Sequence, residues 1–225
     1  MSRISHMAGV AALGLIVASS AHAAIVQNGS FETLTGPFVN SAANYMQLAN
    51  GSTEIAGWTV STTKGNIVLA QSPTDDGFNA AQGTYFVDLS GLGSESLDGA
   101  LSQTISTVAG AHYAFSLDLY SGNNGTIIAS VGGNPITLAS GASFTIGNTS
   151  WTPWSGTFTG NALDTSPTLM IKNGTPGSQL DFVDNVSIVR TGGSVPEPAA
   201  WSLMILGFGL AGATLRRVRR APLAA

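Results

Sequence analysis

Cysteine is absent from the whole chain, so neither a disulfide framework nor a thiolate nucleophile or metal ligand can be built. Histidine is almost as scarce. His6 and His22 fall within the first 23 residues, which leaves His112 as the one imidazole in the body of the chain. That argues against zinc and against a Ser-His-Asp triad, since no Gly-x-Ser-x-Gly turn lies near His112. No Gly-x-x-x-x-Gly-Lys phosphate loop occurs. Basic side chains are few as well: residues 24–195 hold Lys64, Lys172 and Arg190 against eleven acidic residues, a net charge of −8. With no basic stripe to displace counterions, nucleic acid is excluded as a partner. Missing too is any amphipathic helix of useful length within those residues.

What is present at the two ends reads as export machinery. Arg3 forms a short basic region, residues 7–17 are apolar, and Ala21-His22-Ala23 is an A-x-A cleavage signature, so residues 1–23 are expected to be a signal peptide. At the other end Pro196-Glu197-Pro198 precedes an uncharged run over residues 199–215, which Arg216, Arg217, Arg219 and Arg220 close. Seventeen residues span about 25 Å as a helix, slightly short of a hydrocarbon core of about 30 Å. Snorkelling arginines and the interfacial Trp201 make up the difference, and the arginines hold the end of the chain on the cytoplasmic side. Residues 196–225 are therefore read as a sorting and anchoring tail with one transmembrane helix.

Residues 24–195 make one domain, and their pattern is all-β. Residues 113–120 alternate with period two, placing Tyr113, Phe115, Leu117 and Leu119 on one face and Ser116, Asp118 and Tyr120 on the other, the first expected to be core and the second solvent. Residues 84–89, 101–105 and 168–172 behave likewise. Turn clusters such as Ser72-Pro73-Thr74-Asp75-Asp76-Gly77 and Ser121-Gly122-Asn123-Asn124-Gly125 separate the runs. Short strands punctuated in this way predict a β-sandwich or jelly roll. Trp58 and Tyr85 read as core residues. The sequons at Asn28, Asn50, Asn124, Asn148, Asn173 and Asn185 read as turn chemistry.

The order of several short motifs resembles the choice-of-anchor C family, whose members are related to galactose-binding-like jelly rolls. The motifs are Asn28-Gly29-Ser30-Phe31-Glu32, Ile55-Ala56-Gly57-Trp58-Thr59-Val60, Phe86-Val87-Asp88-Leu89-Ser90-Gly91, Leu101-Ser102-Gln103-Thr104 and Asp184-Asn185-Val186-Ser187. The tail, Pro196-Glu197-Pro198-Ala199-Ala200-Trp201 with Gly207-Phe208-Gly209 and the arginines, is similar to PEP-CTERM sorting signals. That resemblance implies processing by a membrane-embedded exosortase at the inner membrane of a Gram-negative bacterium, then display at the cell surface or in the extracellular matrix.

A metal site is implied by the same resemblance: related jelly rolls carry a structural calcium joining a glutamate of the first strand to a carboxylate of the last, here Glu32 and Asp184. Asp184 stands in phase with Phe182, Val186 and Ile188, so its carboxylate is expected on the apolar side, where a charge must be paired or coordinated. The alternative is that backbone amides satisfy it. Oxygen ligands on an exported protein suit calcium.

Carbohydrate recognition combines an aromatic face with nearby amides and carboxylates. Candidates are Tyr120 with Asp118, and Trp151 and Trp154, which lie three apart around Pro153 and so point to opposite faces, in an order the pattern leaves open. Packing is the competing reading of each. Glycoside hydrolysis needs only two carboxylates, for which Glu54 with Glu95 could be nominated, while Asp75-Asp76 reads as a solvated loop. The sequence thus points to an exported, non-enzymatic jelly-roll protein that binds envelope or extracellular polysaccharide. A structural matrix component acting through protein contacts at open sandwich edges is the main alternative, and a glycoside hydrolase the weaker one.

Overall fold

The computed structural model describes residues 25–92, 98–122, 124–175, 180–191 and 204–208. The expected signal peptide, Pro196, Glu197, Pro198, Trp201 and the four arginines of the tail lie outside the described residues. Among the described residues no helix is long and apolar enough to cross a membrane.

Among the described residues, thirteen strands form two antiparallel sheets. The larger is built from β1 (Tyr45–Leu48), β3 (Ile67–Gln71), β4 (Tyr85–Asp88), β13 (Asp181–Thr191), β6 (His112–Ser121), β11 (Thr149–Thr159) and β10 (Phe144–Ile146), adjacent in that order, with β9 (Ala139–Ser140) also paired to β11. The smaller runs β2 (Thr59–Ser61), β5 (Ala100–Thr104), β12 (Thr168–Asn173), β7 (Ile127–Val131) and β8 (Asn134–Pro135). The all-β sandwich expected from the sequence is therefore present, and the four alternating runs fall on β4, β5, β6 and β12.

Alternation decides which side chains meet between the sheets. Tyr113, Phe115, Leu117 and Leu119 of β6 pack there with Val87, Leu101, Leu169, Ile171 and Ile188 as a single buried cluster, in the manner of two inner faces interdigitating. Trp58 is 1% exposed and joins this core, as expected. Its Nε1 donates to the Asn28 carbonyl at 2.9 Å, which supplies the partner that a buried indole N–H requires.

The opposite face of β6 is not solvent. Phe86, Phe182 and Trp151 project from that side of the larger sheet into a second buried cluster with Val68, Ala70 and Ala80, against which Tyr120 and Phe78 pack. The segment before β4 covers it: Phe78 lies edge-on to Phe182 at 4.9 Å, and Tyr120 stacks on Phe182 at 5.0 Å. Period two identifies a face and says nothing of what lies over it, which is why one face was expected to be bare.

The phase assigned to Asp184 also needs correction. A bulge interrupts the β13–β6 register between Asp184 and Ser187, with Asn185 at φ 52°, a left-handed conformation that asparagine tolerates better than most residues. Phe182 and Asp184 thus face the second cluster, whereas Val186 and Ile188 beyond the bulge face the inter-sheet core. The N-terminal segment seals the bulge, since the Val186 amide donates to the Gly29 carbonyl at 2.8 Å. A Cβ on Gly29 would overlap the Val186 carbonyl, so only glycine fits there.

Candidate functional site

The aromatic residues singled out as platforms are placed apart and largely covered. Trp151 is 0% exposed, and its Nε1 donates to the Asn79 carbonyl at 3.0 Å. No face of it is left for a sugar ring. Trp154 points to the opposite side of β11 and packs, half-buried, against the inter-sheet core. Tyr120 is half-buried over Phe182, and Asp118 beside it is buried, its Oδ2 accepting from Asn185 Nδ2 at 3.1 Å. Packing wins at Trp151 because the covering segment supplies both apolar contact and a carbonyl for the indole.

Glu32 and Asp184 both reach the backbone of residues 82–85. Glu32 Oε1 accepts from the amides of Thr84 at 2.8 Å and Tyr85 at 2.9 Å, while Asp184 Oδ2 accepts from the Gln82 amide at 2.9 Å and Oδ1 from its neighbour Asn185 at 2.6 Å. Burial pushes Asp184 up to about 7; the Gln82 and Asn185 amides oppose that rise, and the Asp118 carboxylate adds to it. Asp88, two residues along from Phe86, is likewise pushed up to about 7 by burial, against hydrogen bonds from Ser90 and with Asp181 adding to the rise. Two carboxylates bracketing one segment are the hard oxygen donors that calcium takes. The amides already on them do part of the same work, and among the described residues no group of three or more acidic or histidine side chains is placed to hold a metal. A cation here would depend on backbone carbonyls for the rest of its shell.

Of the carboxylates nominated for hydrolysis, one of the pair falls outside the described residues. Glu54 is exposed, Glu95 lies outside the described residues, and Asp118 and Asp184, which face each other across β6 and β13, are both buried. Asp75 and Asp76 are exposed and hydrogen-bonded to Asn44 and Tyr45, as a solvated loop would be.

A groove that the sequence did not flag opens on the smaller sheet. It encloses about 480 Å³ and is lined by residues from β2, β5 and the start of β12 together with Gln27, Thr35, Thr53 and Gly57. The outward positions of these strands carry hydroxyls: Thr59 stands opposite Ser102, and Thr104 opposite Thr168. Beneath them Gln103, 6% exposed, fixes the floor. Its Oε1 accepts from the Gln27 amide at 2.8 Å, and its Nε2 donates to the carbonyls of Gln27 at 2.9 Å and Gly57 at 2.8 Å. Gly57 has φ +84°, and a Cβ there would approach Gln103 Nε2 to 3.0 Å. A groove held by a fully bonded amide is preorganised and requires no ordering step before a ligand enters.

A family model described as "Protein of unknown function (DUF642)" matches residues 24–187. The chain belongs to the DUF642 family. A second model, the PEP-CTERM protein-sorting motif, matches residues 194–220, so the DUF642 domain is followed directly by the sorting signal expected from the tail. No curated protein matches. Solved structures that do match include TmCBM61 in complex with β-1,4-galactotriose, at 20% identity over 75% of this chain and 99% of that one, TM-score 0.45. A CBM4 structure matches at 13% identity over 74% and 99%, TM-score 0.34. The enzymatically active domain of bacteriophage CBA120 tailspike protein 4 matches at 18% identity over 64% and 21%, TM-score 0.37. At these scores the likeness is too distant to transfer a ligand or a reaction. Every residue of the hydroxyl-lined groove lies within the part of the chain that defines the DUF642 domain.

Proposed function

We propose that this protein is an exported, surface-displayed module that binds polysaccharide of the envelope or the extracellular matrix and performs no catalysis of its own. The observation that carries the reading is the preorganised groove of hydroxyl and amide groups on a domain whose chain continues into a PEP-CTERM sorting motif. Ser and Thr hydroxyls both donate and accept, so they complement sugar hydroxyls in either sense. The buried state of Asp118 and Asp184 supports a binding role over hydrolysis. An exosortase is the processing partner in this reading, and the inner membrane holds the protein until the tail is processed.

The same reading includes one structural calcium held by Glu32 and Asp184 with backbone carbonyls, its effect being to keep Asp184 ionised and to fix residues 82–85 against the last strand. A rival, a matrix component acting through protein contacts, is favoured by a specific feature: edge strand β10 exposes Phe144 and Ile146, at 37% and 36%. The two readings separate in affinity electrophoresis of the full-length protein, in neutral detergent, through gels containing a polysaccharide panel. Selective retardation is the expected result. Uniform mobility of folded protein in every gel, with concentration-dependent self-association, would transfer the assignment to the matrix component.

A further inference from the structure

We infer that the groove selects neutral polysaccharide and rejects uronate-bearing or otherwise anionic chains, a conclusion that rests on the polysaccharide-binding reading above and specifies its ligand. No charged side chain is among the lining residues. The hydroxyls form two rows: Thr59 with Ser102, and Thr104 with Thr168. The rows are two residues apart along β5, about 7 Å. A sugar hydroxyl laid across either row meets groups able to donate or accept, whereas a carboxylate would give up its hydration for neutral partners only.

The surroundings act in the same direction. Lys172 is the one cation on the strands of the smaller sheet, and its charge is felt by Asp98, whose pKa is lowered by hydrogen bonds from Thr63 first and by Lys172 last. Glu54 follows Thr53 of the groove in the chain and is exposed. The carboxyl of Asp164 lies near Gly132, whose amide donates to the Thr168 carbonyl at 2.9 Å. An approaching polyanion thus meets a domain whose net charge is already −8, with Glu54 the chain neighbour of a lining residue. A neutral chain pays none of that repulsion.

The absence of an exposed aromatic in the groove sets the manner of recognition. Trp58 contributes to the lining but is 1% exposed. Hydrogen bonding to an uncharged floor therefore replaces ring stacking, and binding should be insensitive to salt.

The test uses matched polymers: mixed-linkage β-glucan, β-1,4-galactan and glucomannan, each beside its form oxidised at C6 to the uronate, in affinity gels at low and at 0.3 M salt (about a threefold change in screening length). The expected result is retardation by at least one neutral polymer, unchanged by salt, and at least tenfold weaker retardation by its oxidised form. Ser102→Glu is expected to weaken binding at least tenfold, while Ser130→Glu, on the same sheet face but on β7 outside the groove, leaves it intact. Thr59→Ala combined with Thr104→Ala gives a milder loss without introducing charge. Stronger binding of an oxidised polymer would overturn the inference and leave the polysaccharide reading in place. Full binding by Ser102→Glu would overturn the assignment to this groove. Failure of every polymer to retard folded protein would remove both readings together.

Discussion

The two sheets carry opposite kinds of outer face. On the larger one, Phe86, Phe182 and Trp151, with Tyr120 beside them, lie over buried carboxyls and beneath a covering segment. On the smaller one, Thr59, Ser102, Thr104 and Thr168 stand uncovered around a groove. The difference teaches that aromatic content is a poor guide to a ligand surface in this molecule. The face richest in aromatics has become a second core, and the face with none is the one open to a ligand.

The largest way to break this comparison is Trp151→Ala. If the aromatic face is core, removing a fully buried indole costs about 3–5 kcal/mol, read as a lowered midpoint in chemical denaturation. A change below about 1 kcal/mol would mean that the face is a loosely covered surface. The second test is pH. Asp88 and Asp184 titrate near 7 in the fold against an ordinary value of 3.8. The folded chain therefore holds protons that the unfolded chain releases, so stability falls as pH rises from about 4 to about 7 and is level above that. Thermal melting in chelator should show the fall, Asp184→Asn should flatten part of it, and a rise in stability across the same window would contradict the burial of these groups. Calcium sharpens this experiment: by holding Asp184 ionised it should raise the melting midpoint most at pH 8, and Glu32→Ala should abolish that rise. A midpoint unmoved by calcium or chelator in the parent protein would remove the ion from the account.

Gln103→Leu is the next smaller effect. It leaves the Gln27 amide and the carbonyls of Gln27 and Gly57 without their partner, a loss of about 1–3 kcal/mol, and it loosens the groove floor, so binding should weaken alongside stability. Smallest is Thr59→Ala, exposed on β2, where stability should stay within about 0.5 kcal/mol while retardation by the neutral polymer decreases. Weakened binding without lost stability would assign function to the hydroxyl face alone.

Much of the sandwich was legible because its strands alternate: Tyr113, Phe115, Leu117 and Leu119 fall on the inner face as their spacing requires, and Trp58 is buried as expected. Parity also placed Trp151 and Trp154 on opposite sides of β11. The tail was legible because its order of proline-bounded motif, apolar run and arginines is a local signal, and the sorting motif matches there. Asp184 escaped because one asparagine at positive φ shifts the phase of the strand after it, and no periodicity reports a bulge. The groove escaped for a different reason. Its residues are scattered from Gln27 to Thr168, and a threonine on an outward position reads as ordinary solvated surface until the sheet brings it beside others. Gln103 carried the one available hint, a polar side chain at an inward position of a β-strand, which needs partners from elsewhere in the chain.

The strand that leads to the sorting motif is β13, and it lies inside the larger sheet, bonded to β4 on one side and to β6 on the other. If the domain is displayed and held at its C-terminus, as proposed, drag on it enters along this strand. The ladders with β4 and β6 are then loaded in shear, many bonds sharing the load at once, where a terminal edge strand would peel one bond at a time. In that arrangement an interior strand as the point of load would make the domain hard to strip away by flow.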